Sequence, residues 1–131
     1  MICSDIERFL RAFWTSQWDV CGPMLSIDAV YEDPLLAEPM RGRSAILDVF
    51  RYCHQWAALD PRLVSLFGDG DRFCAELRVA GTIVAIADGI PEAAVGRQFD
   101  FAEADVFQVQ GGEIVRMSIY ADVVGFQAQI S

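Results

Sequence analysis

The stretch QFDFAEADVFQVQ, residues 98–110, followed by Gly111-Gly112 and EIVRMSIYA over 113–121, decides how the rest of the chain is read. Side chains along a strand alternate between its two faces. On that rule Phe99, Phe101, Glu103, Asp105, Phe107 and Val109 share one face. Gln98, Asp100, Gln108 and Gln110 share the other with Ala102, Ala104 and Val106. The first face is apolar except for two carboxyls at its middle. A glycine pair between two such runs marks a tight hairpin, so residues 98–121 predict two long antiparallel strands with one buried face.

Working back from there, Arg62 to Phe67 and Arg72 to about Ala85 read as two further strands. They are joined by the turn Gly68-Asp69-Gly70-Asp71, and Phe73, Ala75, Leu77 and Val79 alternate against Cys74, Glu76 and Arg78. Asp88-Gly89-Ile90-Pro91 marks a loop between the second of these and the strand at Gln98.

The first half of the chain carries helical spacing instead. Ile6, Phe9, Leu10, Phe13 and Trp14 form one stripe, with Ser4 and Glu7 spaced as a capping box. Gly22-Pro23 interrupts the chain, and Pro23 is placed to open a helical turn through Met24 to Ile27. Ala29 to Asp33 predicts a short strand stopped by Pro34, and Pro34 to Arg43 a loop. Ser44 is placed to cap a second helix reaching about Leu59, with Ile46, Phe50, Cys53 and Ala57 on one stripe; Asp60-Pro61 ends it. Helices first and an antiparallel meander afterwards indicate an α+β fold, not βαβ winding.

The 131 residues suit one domain with one core. With 53% hydrophobic and 22% charged residues the chain can bury a core, and no apolar run approaches the ~20 residues that span a bilayer. Met1 to Leu10 lacks a signal-peptide core, which makes a cytoplasmic location the expectation. The net charge of −9 argues against nucleic acid and against an anionic membrane surface, since both reward basic patches. Cys3, Cys21, Cys53 and Cys74 are scattered, without the short paired spacing of zinc sites or the density of a disulfide scaffold. They read as reduced, mostly buried thiols. With one histidine, His54, no histidine metal cluster can form, and no glycine-rich phosphate loop is present. Neither a metal nor a cofactor is expected.

The two inward carboxyls carry the chemistry. An unpaired buried carboxylate is costly, and its usual escape is a raised pKa. Kept neutral, it becomes a hydrogen-bond donor suited to an oxygen gaining negative charge. That role is expected of Asp105. Glu103 is expected on the pocket wall as a structural ion pair with Arg78, Arg97 or Arg116. Asp33, at a strand end before Pro34, shares a face with Ala29 and Tyr31; by spacing alone it reads equally as a turn-forming aspartate.

Glu32-Asp33-Pro34, with Glu38-Pro39 and Gly42 behind it, resembles the Glu-Asp-Pro loop of ketosteroid isomerases and their SnoaL-like relatives. Asp105-Val106-Phe107 with Gly112-Glu113-Ile114-Val115 resembles their strand, glycine turn and return strand. Tyr120-Ala121-Asp122 resembles the Tyr-x-Asp close of SnoaL-like and limonene epoxide hydrolase-like proteins. The likeness covers nearly the whole chain. It implies a single domain of the nuclear transport factor 2-like (cystatin-like) cone, a curved antiparallel sheet wrapped around N-terminal helices and enclosing a pocket.

The resemblance also implies roles. Asp33 falls where the isomerases keep their general base, and Asp105 where they keep a protonated oxyanion donor; those enzymes are a standard case of such pKa tuning. Their two active-site tyrosines fall on Phe9 and Phe50. Phenylalanine donates no hydrogen bond, and one lost oxyanion donor costs roughly 10²–10³ in rate. The resemblance therefore implies a cofactor-free isomerase or cyclase of natural-product metabolism ahead of steroid isomerisation, working on a small lipophilic carbonyl or hydroxyl compound. A non-catalytic ligand-binding or dimerisation module, and an epoxide hydrolase or epoxide-opening cyclase, are the alternatives. Phe9, Phe13, Trp14, Phe50, His54, Phe99, Phe101, Glu103, Phe107 and Tyr120 are the expected pocket residues. Trp18, Trp56 and Tyr31 are expected in the core or at an interface. A homodimer through the outer sheet face is expected as well.

Overall fold

The computed structural model describes residues 1–131. Helix α1, Cys3–Trp14, buries Ile6, Phe9, Leu10 and Ala12, the stripe its spacing predicts. Its start differs from the expected one: the cap position is Ile2, whose backbone N–H donates to Asp5 Oδ2 at 2.8 Å, and Ser4 lies inside the first turn. A one-turn helix α2, Trp18–Cys21, leads into a 3₁₀ turn at Gly22–Met24. Pro23 opens that turn as proposed, but extended chain resumes at Leu25. Strand β1 is therefore longer than predicted, Leu25–Glu32, and Asp33 stands just beyond its end.

The expected loop contains a two-residue strand β2, Met40–Arg41, paired antiparallel to β1. Gly42, at φ 95°, occupies the cap position of α3, Arg43–Trp56, in place of Ser44. A side chain is disfavoured at that φ, and the turn lets Gly42 N–H donate to Ala29 O at 2.8 Å. Arg43 ties the start of α3 to β1 through Nη2 and Nε bonds to Leu25 O at 2.7 and 2.9 Å. The helix stops at Trp56, three residues early. Ala57–Leu59 forms strand β3 because its backbone pairs with Ile83 to Gly81.

Strands β4 (Arg62–Asp69), β5 (Arg72–Ile83), β6 (Gln98–Gln110) and β7 (Glu113–Ala121) follow as a meander. The sheet has seven strands in the order β2-β1-β7-β6-β5-β3, with β4 also on β5. Every pair is antiparallel except β1 with β7, which run parallel and bring the end of β1 beside Ser118 of β7. A final helix α4, Val123–Ile130, is absent from the sequence-based expectation; Asp122 caps it by accepting Gly125 N–H at 2.9 Å. The curled sheet and the four helices make a mixed α+β cone, with α1 and α3 packed on its inner face. No helix is long and apolar enough to cross a membrane. Of the four free cysteines only Cys21 is buried; the other three are half-buried.

Candidate active site

The inward face of β6 is the one its sequence pattern predicts. Phe99, Asp105, Phe107 and Val109 are buried, and Phe101 and Glu103 half-buried. Its two ends differ. Phe107 meets Phe9 edge-on at 5.9 Å in solid core, whereas the other end borders a cavity of about 110 Å³. Phe13 and Trp14 of α1, Phe50, Cys53 and Trp56 of α3, and Phe126 of α4 close the cavity opposite the sheet. Asp33, Glu103 and Asp105 all reach it, and no arginine or histidine does.

Register explains why the two β6 carboxyls lack a counter-charge. Asp105 lies between Ala75 and Ile119, and Glu103 between Leu77 and Ala121. The expected ion pair of Glu103 does not form. Arg78 sits opposite Ala102 and Arg116 opposite Gln108, both on the outer face. Arg78 instead pairs with Asp100 at 2.9 Å, and Arg116 with Glu32. Arg97 lies before the strand and donates to Ala93 O.

Asp105 is 2% exposed, and its Oδ1 has no hydrogen-bond partner. Burial is the main reason its carboxyl is held well above the usual carboxylate range; the nearby Glu103 charge, a hydrogen bond to Glu103, and Asp33 push it the same way. Burial also raises Glu103, opposed by its bond with Asp105 and aided by Asp33. Of the two, Asp105 holds its proton more tightly, because it is the more buried and lends its hydrogen to Glu103. Asp33 sits differently. It accepts from Tyr31 Oη at 2.6 Å and from Leu35 N–H at 2.9 Å. The second of these bonds makes it a turn-forming aspartate as well as a cavity residue.

Four expected pocket residues lie elsewhere. Phe9 and Phe107 are fully buried in the packed end of the cone. His54 faces away from the cavity, with Nε2 at 2.9 Å from Phe13 O and its ring edge-on to Phe13 and Trp18. Tyr120 is 65% exposed on the outer sheet face, one register step out of phase with Ile119 and Ala121.

Sequence reasoning misses Tyr31 and Trp56, which it assigns to core or interface. Tyr31 carries a usable signal: it lies two residues before Asp33 on the same strand face, which is what brings its hydroxyl to that carboxylate. Its ring meets Phe50 edge-on at 5.4 Å, and burial with the Asp33 charge drives its hydroxyl well above the normal tyrosine range. The Cys53 thiol, pushed up to about 12 chiefly by burial, is a neutral wall residue and not a nucleophile. No three His, Cys, Asp or Glu side chains are grouped to hold a metal ion.

The profile of the SnoaL-like domain matches residues 6–117, and the chain belongs to that family. No curated protein matches it. Among solved structures, a protein from Xanthomonas campestris proposed to be a polyketide cyclase is 22% identical, with a TM-score of 0.90 over 98% of this chain and 95% of its own. A Mycobacterium tuberculosis epoxide hydrolase of the limonene epoxide hydrolase-like kind is 22% identical, with a TM-score of 0.76 over 98% and 87%. A hypothetical protein of ketosteroid isomerase-like fold from Catenulispora acidiphila, solved with trimethylamine, is 18% identical, with a TM-score of 0.79 over 99% and 94%. At these identities the likeness shows the nuclear transport factor 2-like fold.

Proposed function

We propose that this domain is a cofactor-independent acid–base enzyme, an isomerase or cyclase, acting on a small lipophilic compound that bears a carbonyl or hydroxyl group. The observation that carries the reading is the placement of two unlike carboxyls on one aromatic cavity. Asp33 accepts two hydrogen bonds and is the base, taking a proton from carbon next to the carbonyl or from a hydroxyl. Asp105, buried and held protonated, is the acid, turning its proton from Glu103 to the oxygen gaining charge. Tyr31 steadies Asp33, and Glu103 steadies the proton of Asp105. Matching a base and a neutral acid by environment needs no cofactor.

Size narrows the substrate. An apolar cavity of about 150 Å³ holds a benzene ring, so about 110 Å³ suits one small ring, not four fused ones. Epoxide hydrolysis is less well served, because no cationic side chain lines the cavity to orient an epoxide oxygen. The outer sheet face, where Val64, Phe67 and Tyr120 are exposed beside Ala102 and Ala104, supports a homodimer. Sedimentation at about 14.6 kDa would refute that assembly.

The test of the chemistry uses small cyclic enones and 1,3-diketones in D₂O, with loss of the α-proton NMR signal as the readout. Exchange should fall about 10²–10⁴-fold in Asp33→Asn, and less in Asp105→Asn, whose amide still donates, than in Asp105→Ala. Unchanged exchange in Asp33→Asn would remove the base from the scheme.

A further inference from the structure

The charge balance of the cavity points beyond its proton chemistry. Three carboxyls reach one cavity of about 110 Å³ and no basic side chain does. All ten basic residues of the chain are arginines, and each lies outside the lining. Asp105, whose Oδ1 is fully buried and without a partner, lines this space. An orphaned buried oxygen is uncommon in a folded protein and calls for an explanation. The remaining wall combines the rings of Phe13, Trp14, Phe50, Trp56, Phe99 and Phe101 with aliphatic side chains. Ring faces carry negative potential and attract cations once water is excluded. A site with carboxyls, ring faces and no cationic side chain is complementary to a positive charge and repels an anion.

We propose that the cavity is a binding site for a small organic cation, an alkylated protonated amine or iminium of about one ring in size. The nitrogen lies toward Asp105 and Glu103, and the alkyl groups lie against the rings. An N⁺–H group gives Asp105 Oδ1 the donor it lacks. The overall charge of −9 favours arrival of a cation. The carboxyls are not gathered to ligate a metal ion, whereas a bulky, weakly hydrated ammonium needs no tight oxygen cage.

Proton linkage follows from the groups around the site. Asp33 and Tyr31 face it from β1, Cys53 from α3, and Cys74 of β5 lies near Asp105; none carries a positive charge. Empty, the Glu103–Asp105 pair holds protons beyond the usual carboxylate range. A bound cation favours the ionised pair, so binding releases protons and weakens as the pH is lowered.

The proposal rests on the cavity of the preceding section but not on its turnover. The probes are N-methylpyrrolidine, protonated at neutral pH, and neutral cyclopentanone, which is of similar size. Calorimetry near pH 7 in buffers of different ionisation enthalpy should show the amine binding about tenfold tighter or more, with proton release. The double variant Glu103→Gln with Asp105→Asn, confirmed folded by its melting curve, should lose that preference. Equal or better binding of cyclopentanone, no amine binding, or an amine preference that survives the double variant would overturn the proposal. Amine binding without α-proton exchange on any ketone would uphold this site and sink the enzyme. Exchange that depends on Asp33, without amine binding, would do the reverse.

Discussion

The two ends of strand β6 present the same inward alternation to different surroundings. At the hairpin end, Phe107 and Val109 meet α1 in close packing: Phe9 lies 5.9 Å from Phe107 and 6.4 Å from Phe50, both edge-on, with Ile6, Leu10 and Ile114 fully buried around them. At the other end, Phe99, Phe101 and Glu103 look across a void to the last turn of α1 and to α3. The strand itself does not differ between these ends; the layer above it does. Helix α1 lies over the packed end and finishes at Trp14, so its final turn offers only Phe13 and Trp14 to the cavity. Asp105 sits at the junction, where packing has removed water and the void has removed any partner. The difference teaches that a carboxyl at the border of a core and a cavity gets the desolvation of the first and the accessibility of the second.

The largest effect should come from deleting a ring on the packed side. Phe107→Ala removes a fully buried side chain in contact with Phe9 and should cost about 3–5 kcal/mol in urea unfolding. Phe101 is half-buried at the cavity wall, stacked on Phe99 at 5.9 Å, and Phe101→Ala should cost under about 2 kcal/mol. Equal losses would erase the distinction between the two ends.

A middle-sized effect tests the far rim of the cavity, where β3 crosses close to β5. A Cβ on Gly81 would lie 2.6 Å from Ala58 O and 2.7 Å from Phe99 Cζ. The backbone oxygen cannot yield easily, so Gly81→Ala should destabilise by roughly 1–3 kcal/mol and push Phe99 into the cavity. Thermal unfolding reads the first effect and weaker probe binding the second. A neutral outcome for both would mean that the rim gives way freely.

How far the sequence carries these conclusions depends on the range of the interaction involved. The β6–β7 hairpin, the inward face of β6 and the stripes of α1 and α3 are legible because they rest on local alternation, local turns and helical spacing. The cavity position of Asp33 comes from the Glu-Asp-Pro resemblance, not from spacing. Contacts made far along the chain are not legible. Ala57–Leu59 continues a helical stripe, yet pairs with β5 because Ile83 to Gly81 offers an open edge. The helix at Val123–Ile130 has weak helical periodicity, and it is held by Phe126 against Phe99 and Trp56 at 5.2 and 6.2 Å. Arg78, Arg97 and Arg116 are the partners the sequence offers Glu103 for an ion pair; strand parity puts Arg78 and Arg116 on the opposite face. Phe9 and Phe107 read as pocket residues because alternation tells inside from outside, but not packed from hollow.

The smallest difference is expected for Asp105→Asn in acid, and its growth with pH tests the junction directly. The folded protein raises the Asp105 carboxyl above its ordinary value of 3.8, first through burial and then through Glu103 and Asp33. Between the unfolded and folded values the native state therefore holds a proton that the unfolded chain has released. Stability must fall as pH rises through that window, by about 1.4 kcal/mol for each unit the value is raised. The amide introduced by Asp105→Asn has the same shape as the carboxyl, keeps a donor for Glu103 and has no proton to lose. Near pH 4 wild type and variant should unfold within about 0.5 kcal/mol of each other, and toward neutral pH the variant should become the more stable. Glu103, raised from 4.5 in the same direction, leaves a residual slope that the added Glu103→Gln change should remove. Tyr31 and the thiols of Cys21, Cys53 and Cys74, also raised, start from 10.0 and 9.0, so they add their own slope only in alkali. Urea midpoints from about pH 4 to 8 isolate the pair. A wild-type midpoint that stays level or climbs across that range would mean Asp105 is ionised in the folded protein. The border of core and cavity would then not desolvate it, and the acid of the proposed mechanism would be lost.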